Sequence, residues 1–299
     1  MTVLLEYSDG EESVGSFGTV SAREGNHIMR GVLARLTILL LLAASISAAT
    51  AAAPVSYRKV RMHGVYVHVV TVDMNASNVC VTPAIAKAGI GGLESFGSVI
   101  SRLKPAVAIT GTYFNIKSHV PVGDIVIDGR CVNTGFVGTA ICITQDNKVD
   151  FMSLKRSRIP SWTFYPTAIS AGPRLVTNGG VGVYPKSEGF NDGAIRKKAR
   201  RAAIGVTKSN KLLMVVVNRP IYLRTLAQIL KDLGAYQAMN LDGGSSTGLA
   251  CNGRVIIRPA RRLSNVILVY DSQQKFASIR QNLTPSLPAT GKAAGKKRT

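Results

Sequence analysis

Short runs of β-branched and aromatic residues, broken by turns rich in Gly, Asn and Asp, recur from Val65 to Tyr270, and this alternation constrains the fold more than any other feature. Segments 65–70 and 79–85 read as strands, and 106–110 reads as a buried strand entering a turn at Gly111. Segment 125–127 runs into Asp128-Gly129, a pair that tolerates positive φ and so predicts a tight hairpin turn. Two more hairpins are expected, 140–144 with 148–152 and 202–207 with 212–217. Segments 255–257 and 266–270 close the series. Helical spacing is rarer. Leu93, Phe96, Ile100 and Leu103 predict a short helix over 93–103, ended by Pro105. Leu226, Ile229, Leu230 and Leu233 predict a second, with Thr225 as N-cap and Gly234 as stop. Segment 235–241 leads from it into an Asp-Gly-Gly loop. Strands outnumber helices and hairpins join several of them. The expected class is α+β, with mixed or antiparallel sheets, few helices and a single domain.

Charge and the first fifty residues bear on compartment and partners. The chain has 299 residues, with 37 Lys and Arg against 16 Asp and Glu, a formal +21. Such a balance favours anionic partners. Arg30 and Arg35 precede an apolar run over 36–44 and a small-residue stretch over 45–53, the order of a secretory signal peptide. The apolar run is short for a membrane-spanning helix; an uncleaved N-terminal anchor is the alternative. Residues 1–28 precede this leader and are expected to be a mis-assigned upstream segment, with translation starting at Met29. The first 51 residues hold three basic and five acidic side chains, which leaves 34 basic and 11 acidic, or +23, in the remainder. Cys80, Cys131, Cys142 and Cys251 are compatible with two disulfides in any of three pairings, or with buried thiols. No CxxC spacing appears, the histidines are scattered, and neither a metal site nor a cofactor is expected.

Few carboxylates are left to carry chemistry, and Asp242 stands apart from the rest. It follows Met239-Asn240-Leu241 and precedes Gly243-Gly244-Ser245-Ser246. A carboxylate at a strand end, followed by glycines that let backbone amides approach a ligand, suits a polar substrate. The structural alternative is an Asx turn. Asp124 is a weaker second carboxylate, and Asp128 reads as a turn residue. His119 fits either an acid–base role or a solvated loop position.

The segment Asn240-Leu241-Asp242-Gly243-Gly244-Ser245-Ser246-Thr247 resembles the signature of the phosphodiester glycosidase family, Asn-Leu-Asp-Gly-Gly, then Gly or Ser, then Ser. Four more segments match in the same order. Thr110-Gly111-Thr112-Tyr113-Phe114 resembles the family's Asn-Gly-Gly-Phe-Phe turn, and Pro121-Val122-Gly123-Asp124 to Asp128-Gly129-Arg130 its Gly…Asp-Gly segment. Arg201-Ala202-Ala203-Ile204-Gly205 resembles its Arg-Thr-Ala-Ile-Gly strand, and Arg261-Arg262-Leu263-Ser264-Asn265 its closing Arg-rich strand. The match covers roughly 60–272. One departure is Thr110, which stands where the family has Asn and supplies a hydroxyl but no amide donor.

The resemblance implies a single catalytic domain over 55–272, following the signal peptide at 29–53 and followed by a disordered basic tail over 273–299. It implies cleavage of the bond between a sugar's anomeric carbon and a phosphodiester oxygen, through an oxocarbenium-like state. The leaving phosphate is a weak base that needs its charge held more than it needs a proton. On that reading Asp242 stabilises the cation or activates water, and Arg201, with Arg261, binds phosphate through the planar guanidinium fork. Thr110, Gly111, Tyr113, Asp124, Gly243, Gly244, Ser245 and Ser246 would contact substrate. For either Arg the alternative is a structural bond to a strand-end carbonyl or to Asp242. The expected partner is a glycan or sugar-phosphate, with an anionic envelope polymer second. No nucleic-acid motif appears, and nucleic acid is not expected. The alternative function is a non-catalytic exported protein that binds acidic polysaccharide in exopolysaccharide biosynthesis or the cell envelope. Oligomeric state is left open.

Overall fold

Two-residue turns fix the strand registers. The computed structural model describes residue 15 and residues 53–135, 138–154 and 161–284. The expected upstream segment and leader, apart from residues 15 and 53, and residues 285–299 of the expected tail lie outside them. His63-Gly64 turns β1 (Val55–Met62) back onto β2 (Val65–Asp73), with Met62 opposite Val65 and φ of 48° and 75° at the two turn residues. Positive φ at both positions gives a turn whose twist matches that of the strands. Asp128-Gly129 joins β5 (Ile125–Ile127) to β6 (Arg130–Asn133) in the same way, as its sequence predicts. Asn178-Gly179 joins β10 (Arg174–Thr177) to β11 (Gly180–Val181), and Asn252-Gly253 joins β15 (Leu249–Cys251) to β16 (Arg254–Ile257).

The remaining strands are β3 (Cys80–Ile85), β4 (Val107–Thr110), β7 (Thr139–Ile143), β8 (Val149–Ser153), β9 (Thr167–Ala171), β12 (Ala199–Thr207), β13 (Lys211–Ile221), β14 (Ala235–Asn240) and β17 (Asn265–Tyr270). They form a seven-stranded sheet in the order β1-β2-β13-β12-β14-β10-β11, and two five-stranded sheets, β16-β15-β4-β17-β3 and β6-β5-β9-β7-β8. Both expected hairpins, β7–β8 and β12–β13, are present, and every strand pair among the described residues is antiparallel.

The seven-stranded sheet is buried on both faces at its centre. Val67 and Val69 of β2, with Leu213, Val215 and Val217 of β13, pack on the helix Leu223–Asp232 (α2, the second helix). Their alternates, Val70, Val72, Leu212, Met214 and Val216, join a core shared with both smaller sheets. A period of two thus sends one apolar set each way, which is why segment 212–217 is an unbroken apolar run. The first helix, α1, is Phe96–Leu103. It starts later than 93 because the Ser95 side chain caps it by accepting the Ser98 N–H, while Glu94 bridges to Leu263. α2 starts earlier than Thr225 predicts: Tyr222 holds the N-cap position without a side-chain cap bond, and Thr225 lies within the first turn.

The expected tail begins instead with a helix, α3 (Gln273–Ile279), capped by Ser272. Phe276, Ile279 and Leu283 turn inward onto the main core, and that burial overrides the polar composition of the segment. All four cysteines are free thiols. Within their sheets, Cys80 and Cys251 are separated by β17 and β4, and Cys131 and Cys142 by β5 and β9. Three strand spacings are roughly 14 Å, beyond the reach of a disulfide. No helix among the described residues is long and apolar enough to cross a membrane.

One ion pair with a buried carboxylate ties α1 to the segment that precedes it. The Glu94 carboxylate accepts from Arg102 Nε at 3.1 Å and Nη2 at 2.6 Å, from Ser98 Oγ at 2.8 Å and from the Lys87 N–H at 2.9 Å. Burial pushes the carboxyl up, but these partners outweigh it and hold its pKa below the usual Glu value. The pair's contribution is therefore present above the unfolded-state pKa and lost as pH falls through the lower folded value. Arg102→Ala leaves Glu94 charged and buried, so it should cost about 3 kcal/mol and lower Tm by about 6–12 °C. Thermal unfolding at pH 7 and pH 4 tests this. An unchanged Tm at pH 7, or a larger loss at pH 4, would refute it.

Candidate active site

The end of β14 and the end of β4 meet at the sheet junction. The Leu241 N–H donates to Ala202 O at 2.9 Å, which holds the loop to β12, and the Asp242 N–H donates to Gly111 O at 3.0 Å, which holds it to the turn after β4. Gly111 has no room for a side chain, because a Cβ there would lie 2.0 Å from Asn265 Oδ1. That amide braces the turn from the other side. Asn265 Oδ1 accepts the Thr112 N–H at 2.7 Å, and its Nδ2 donates to Thr112 O at 3.1 Å.

Asp242 is 5% exposed. Its Oδ1 accepts the Gly243 N–H at 2.9 Å, and its Oδ2 accepts from Arg261 Nη2 at 3.1 Å. The carboxylate thus makes a local turn bond and faces a cation at the same time. Arg261 is itself fixed: Nε donates to Ser246 Oγ at 2.6 Å, and the guanidinium lies 4.4 Å from the Phe114 ring centroid. Burial pushes the Asp242 carboxyl above its ordinary range, while the Ser246 hydroxyl, the Arg261 charge and the Gly243 amide pull it down.

A cavity of about 550 Å³ opens over this pair. Asp242, Gly243, Gly244 and Arg261 line one side, and Phe114, Ile116, Val122, Phe190 and Ile195 give it apolar walls. Tyr113 stands in the lining with its hydroxyl donating to Gly172 O at 2.6 Å and accepting from the Asn240 amide. Burial, with the charges of Asp242 and Glu188, raises its pKa, so the phenol stays protonated. At the rim, loop 115–120 closes on itself. The Asn115 N–H donates to Val120 O at 2.9 Å, the His119 N–H donates to Asn115 O at 2.7 Å, and Asn115 Oδ1 accepts the N–H groups of Lys117 and Ser118. His119 packs on Phe114, and Ile116 is 76% exposed.

Six of the eleven residues that the sequence predicts for the site line the cavity: Tyr113, Arg201, Asp242, Gly243, Gly244 and Arg261. The others have different work. Thr110 is buried at the end of β4 with its N–H on Gly248 O, and Gly111 lies behind the lining as the acceptor for Asp242. Asp124 is fully buried, where its carboxylate accepts the Gly135 N–H and its own N–H donates to Ser170 Oγ. Through the Gly135 amide it holds the turn after β6. Ser245 is exposed and contributes its carbonyl to Ala260, while Ser246 is buried and orients Arg261.

Arg201 lines the cavity but turns most of its donors to the main chain. It is 3% exposed, and its Nε and Nη2 donate to the carbonyls of Ile221 (3.3 Å), Ile195 (3.0 Å) and Lys197 (2.6 Å). A fork engaged in this way does not present two parallel N–H groups to a phosphate. Its structural alternative, bonding strand-end carbonyls, is what the geometry displays. The sequence reading missed the apolar walls and the two asparagines. Asn240 and Asn265 lie inside the matched segments and could have been singled out there. Phe190 and Ile195 lie in a stretch of 3₁₀ turns with no periodic signal.

The segments that build this cavity are also those that relate the chain to known proteins. No curated protein matches the sequence significantly. Among solved structures, the auto-inhibited catalytic domain of zebrafish N-acetylglucosamine-1-phosphodiester alpha-N-acetylglucosaminidase aligns with a TM-score of 0.59 at 21% identity, over 72% of this chain and 82% of that one. A hypothetical protein from Synechocystis aligns with a TM-score of 0.56 at 20% identity, over 72% of this chain and 61% of that one, so the chain spans about three fifths of its length. These likenesses show a shared fold. The phosphodiester glycosidase family matches residues 104–270, more than half of the chain and the span that carries Tyr113, Arg201, Asp242 and Arg261, and the chain therefore belongs to the phosphodiester glycosidase family.

Proposed function

We propose that the protein is a hydrolase that cleaves the sugar C1–O bond of a sugar-1-phosphodiester. The observation that carries this reading is the Asp242–Arg261 pair, a buried carboxylate facing a cation whose side chain is 31% exposed at the cavity. Water bonds to C1 as the C1–O bond breaks, and the bonding electrons leave with the phosphate monoester. The water proton passes to the Asp242 carboxylate and then to solvent. Before that transfer the carboxylate offsets the positive charge that develops on the sugar ring. Arg261, held on the Phe114 face and on Ser246 Oγ, directs its guanidinium toward the departing phosphate.

No general acid is needed, because a phosphate monoester is already a stable anion. Arg201 adds positive charge at the cavity lining, and its bonds to the Ile195, Lys197 and Ile221 carbonyls shape the wall; it is a positioning residue. The protonated Tyr113 hydroxyl and the aromatic and aliphatic walls suit the apolar face of a sugar ring. Export is part of the proposal. It is supported by the basic, apolar and small-residue order of 29–53.

Asp242→Asn should lower kcat on a sugar-1-phosphodiester by about 10²–10⁴-fold. Turnover within a few-fold of the parent would exclude Asp242 from the chemistry. Because burial raises its pKa, ionising Asp242 opposes folding. That stability is full below the unfolded-state pKa and is lost as pH rises through the folded one. The Asn variant should therefore be at least as stable as the parent at pH 7 by thermal unfolding, which separates lost chemistry from lost fold.

The acid limb of kcat/KM should lie above the ordinary Asp pKa. Arg261→Gln removes a charge that lowers it, so the limb should move to higher pH and kcat/KM should fall. A limb that stays in place or moves to lower pH would show that another group titrates.

A further inference from the structure

The cations outside the cavity are not evenly spread. Arg196, Lys197 and Lys198 follow Ile195 in the cavity wall, and all three are exposed. Their backbone is not free to retreat, because the buried Arg201 guanidinium holds the carbonyls of Ile195 and Lys197 and ties them to Ile221 at the end of β13. Beyond them lies a second hollow of about 660 Å³, lined by Arg196, Tyr222, Arg224, Thr225 and Gln228. Tyr222 is 49% exposed, and Lys198 Nζ stands 5.2 Å from its ring centroid. α2 begins at this hollow without a side-chain cap. Among the described residues, none of Arg196, Lys197, Lys198 and Arg224 is in a salt bridge. Two carboxylates of adjoining segments have partners of their own: Asp192 accepts the Ala194 N–H at 2.8 Å, and Asp232 accepts from His63 at 2.7 Å.

Like charges fixed side by side repel one another, and a bound polyanion relieves that repulsion. We infer that this shelf is a subsite for an acidic glycan, the anionic sugar chain beyond the phosphate of the scissile diester. The inference rests on the glycosidase reading, since the shelf starts at the wall of the cavity where that phosphate would depart. Three consecutive cations, with Arg224 across the hollow, exceed what a lone phosphate engages. An exposed tyrosine face and a Gln side chain suit sugar rings lying between the charges, and a neutral glycan would leave the cations unrelieved.

The test uses the full chain and three probes: a galacturonic acid hexamer, neutral maltohexaose and a single-stranded DNA of matched charge. Kd is measured by calorimetry at about 50 and 200 mM salt, which sets the slope of log K against log salt. The parent should bind the galacturonic acid hexamer most tightly. The triple variant R196Q/K197Q/K198Q should weaken that binding at least about tenfold at low salt and flatten the salt slope by about 2. R224Q should weaken it less and provides the readout if the triple variant fails to fold, as judged by thermal unfolding. Parent-like binding by both shelf variants, equal binding of maltohexaose, or tighter binding of the DNA overturns the inference. If the parent hydrolyses no sugar-1-phosphodiester, the glycosidase reading fails, while these Kd values still decide whether the shelf binds an acidic glycan.

Discussion

The Asp242 amide donates to the Gly111 carbonyl, and this bond ties the end of an interior strand of the seven-stranded sheet to the end of the central strand of one five-stranded sheet. The cavity depends on it. Gly111 is glycine because Asn265 occupies the space beside it, and Asn265 in turn holds both sides of the Thr112 peptide. Move that turn, and Asp242 loses its backbone anchor while Phe114 no longer lies beneath Arg261. The carboxylate, the cation and the aromatic face are therefore placed by backbone contacts at a junction of sheets rather than by a mobile loop. Rigid placement of this kind is what lets a site hold charge without reorganising as the reaction proceeds.

The junction also sets the electrostatics. A carboxylate taken out of water costs several kcal/mol in general, and a nearby cation offsets only part of that. At Asp242 burial wins over its partners and the carboxyl rises; at Glu94 the partners win and it falls. Glu94 has four donors and two contacts from one Arg, whereas Asp242 has a single Arg contact and leaves that Arg partly open. The first arrangement serves the fold. The second keeps both ions available for a ligand, at some cost in stability.

Much of this was legible in the sequence, for identifiable reasons. Turn pairs such as Asp128-Gly129 carry their own φ requirement, and the unbroken apolar runs of β12 and β13 state that both faces are buried there. The five matched segments located the loop that carries Asp242. Other features depended on contacts that no local pattern encodes. Arg201 reads as a phosphate ligand by motif, yet main-chain carbonyls of Ile195, Lys197 and Ile221 claim its Nε and Nη2. Asp124 reads as a second site carboxylate, yet it serves a turn. α3 was missed because three inward residues, Phe276, Ile279 and Leu283, are diluted by polar neighbours. The apolar walls at Phe190 and Ile195 come from irregular backbone, where neither period two nor period 3.6 applies.

Loop 115–120 satisfies most of its hydrogen bonds within itself, and it adds Ile116 to the rim without contributing a bond to the Asp242–Arg261 pair. Its ends are anchored by Phe114 and Pro121, which face each other across an isolated bridge. A segment closed in this way is an exchangeable part. Its length and side chains can change while the junction beneath keeps its contacts, so what the rim admits is set separately from the placement of Asp242 and Arg261.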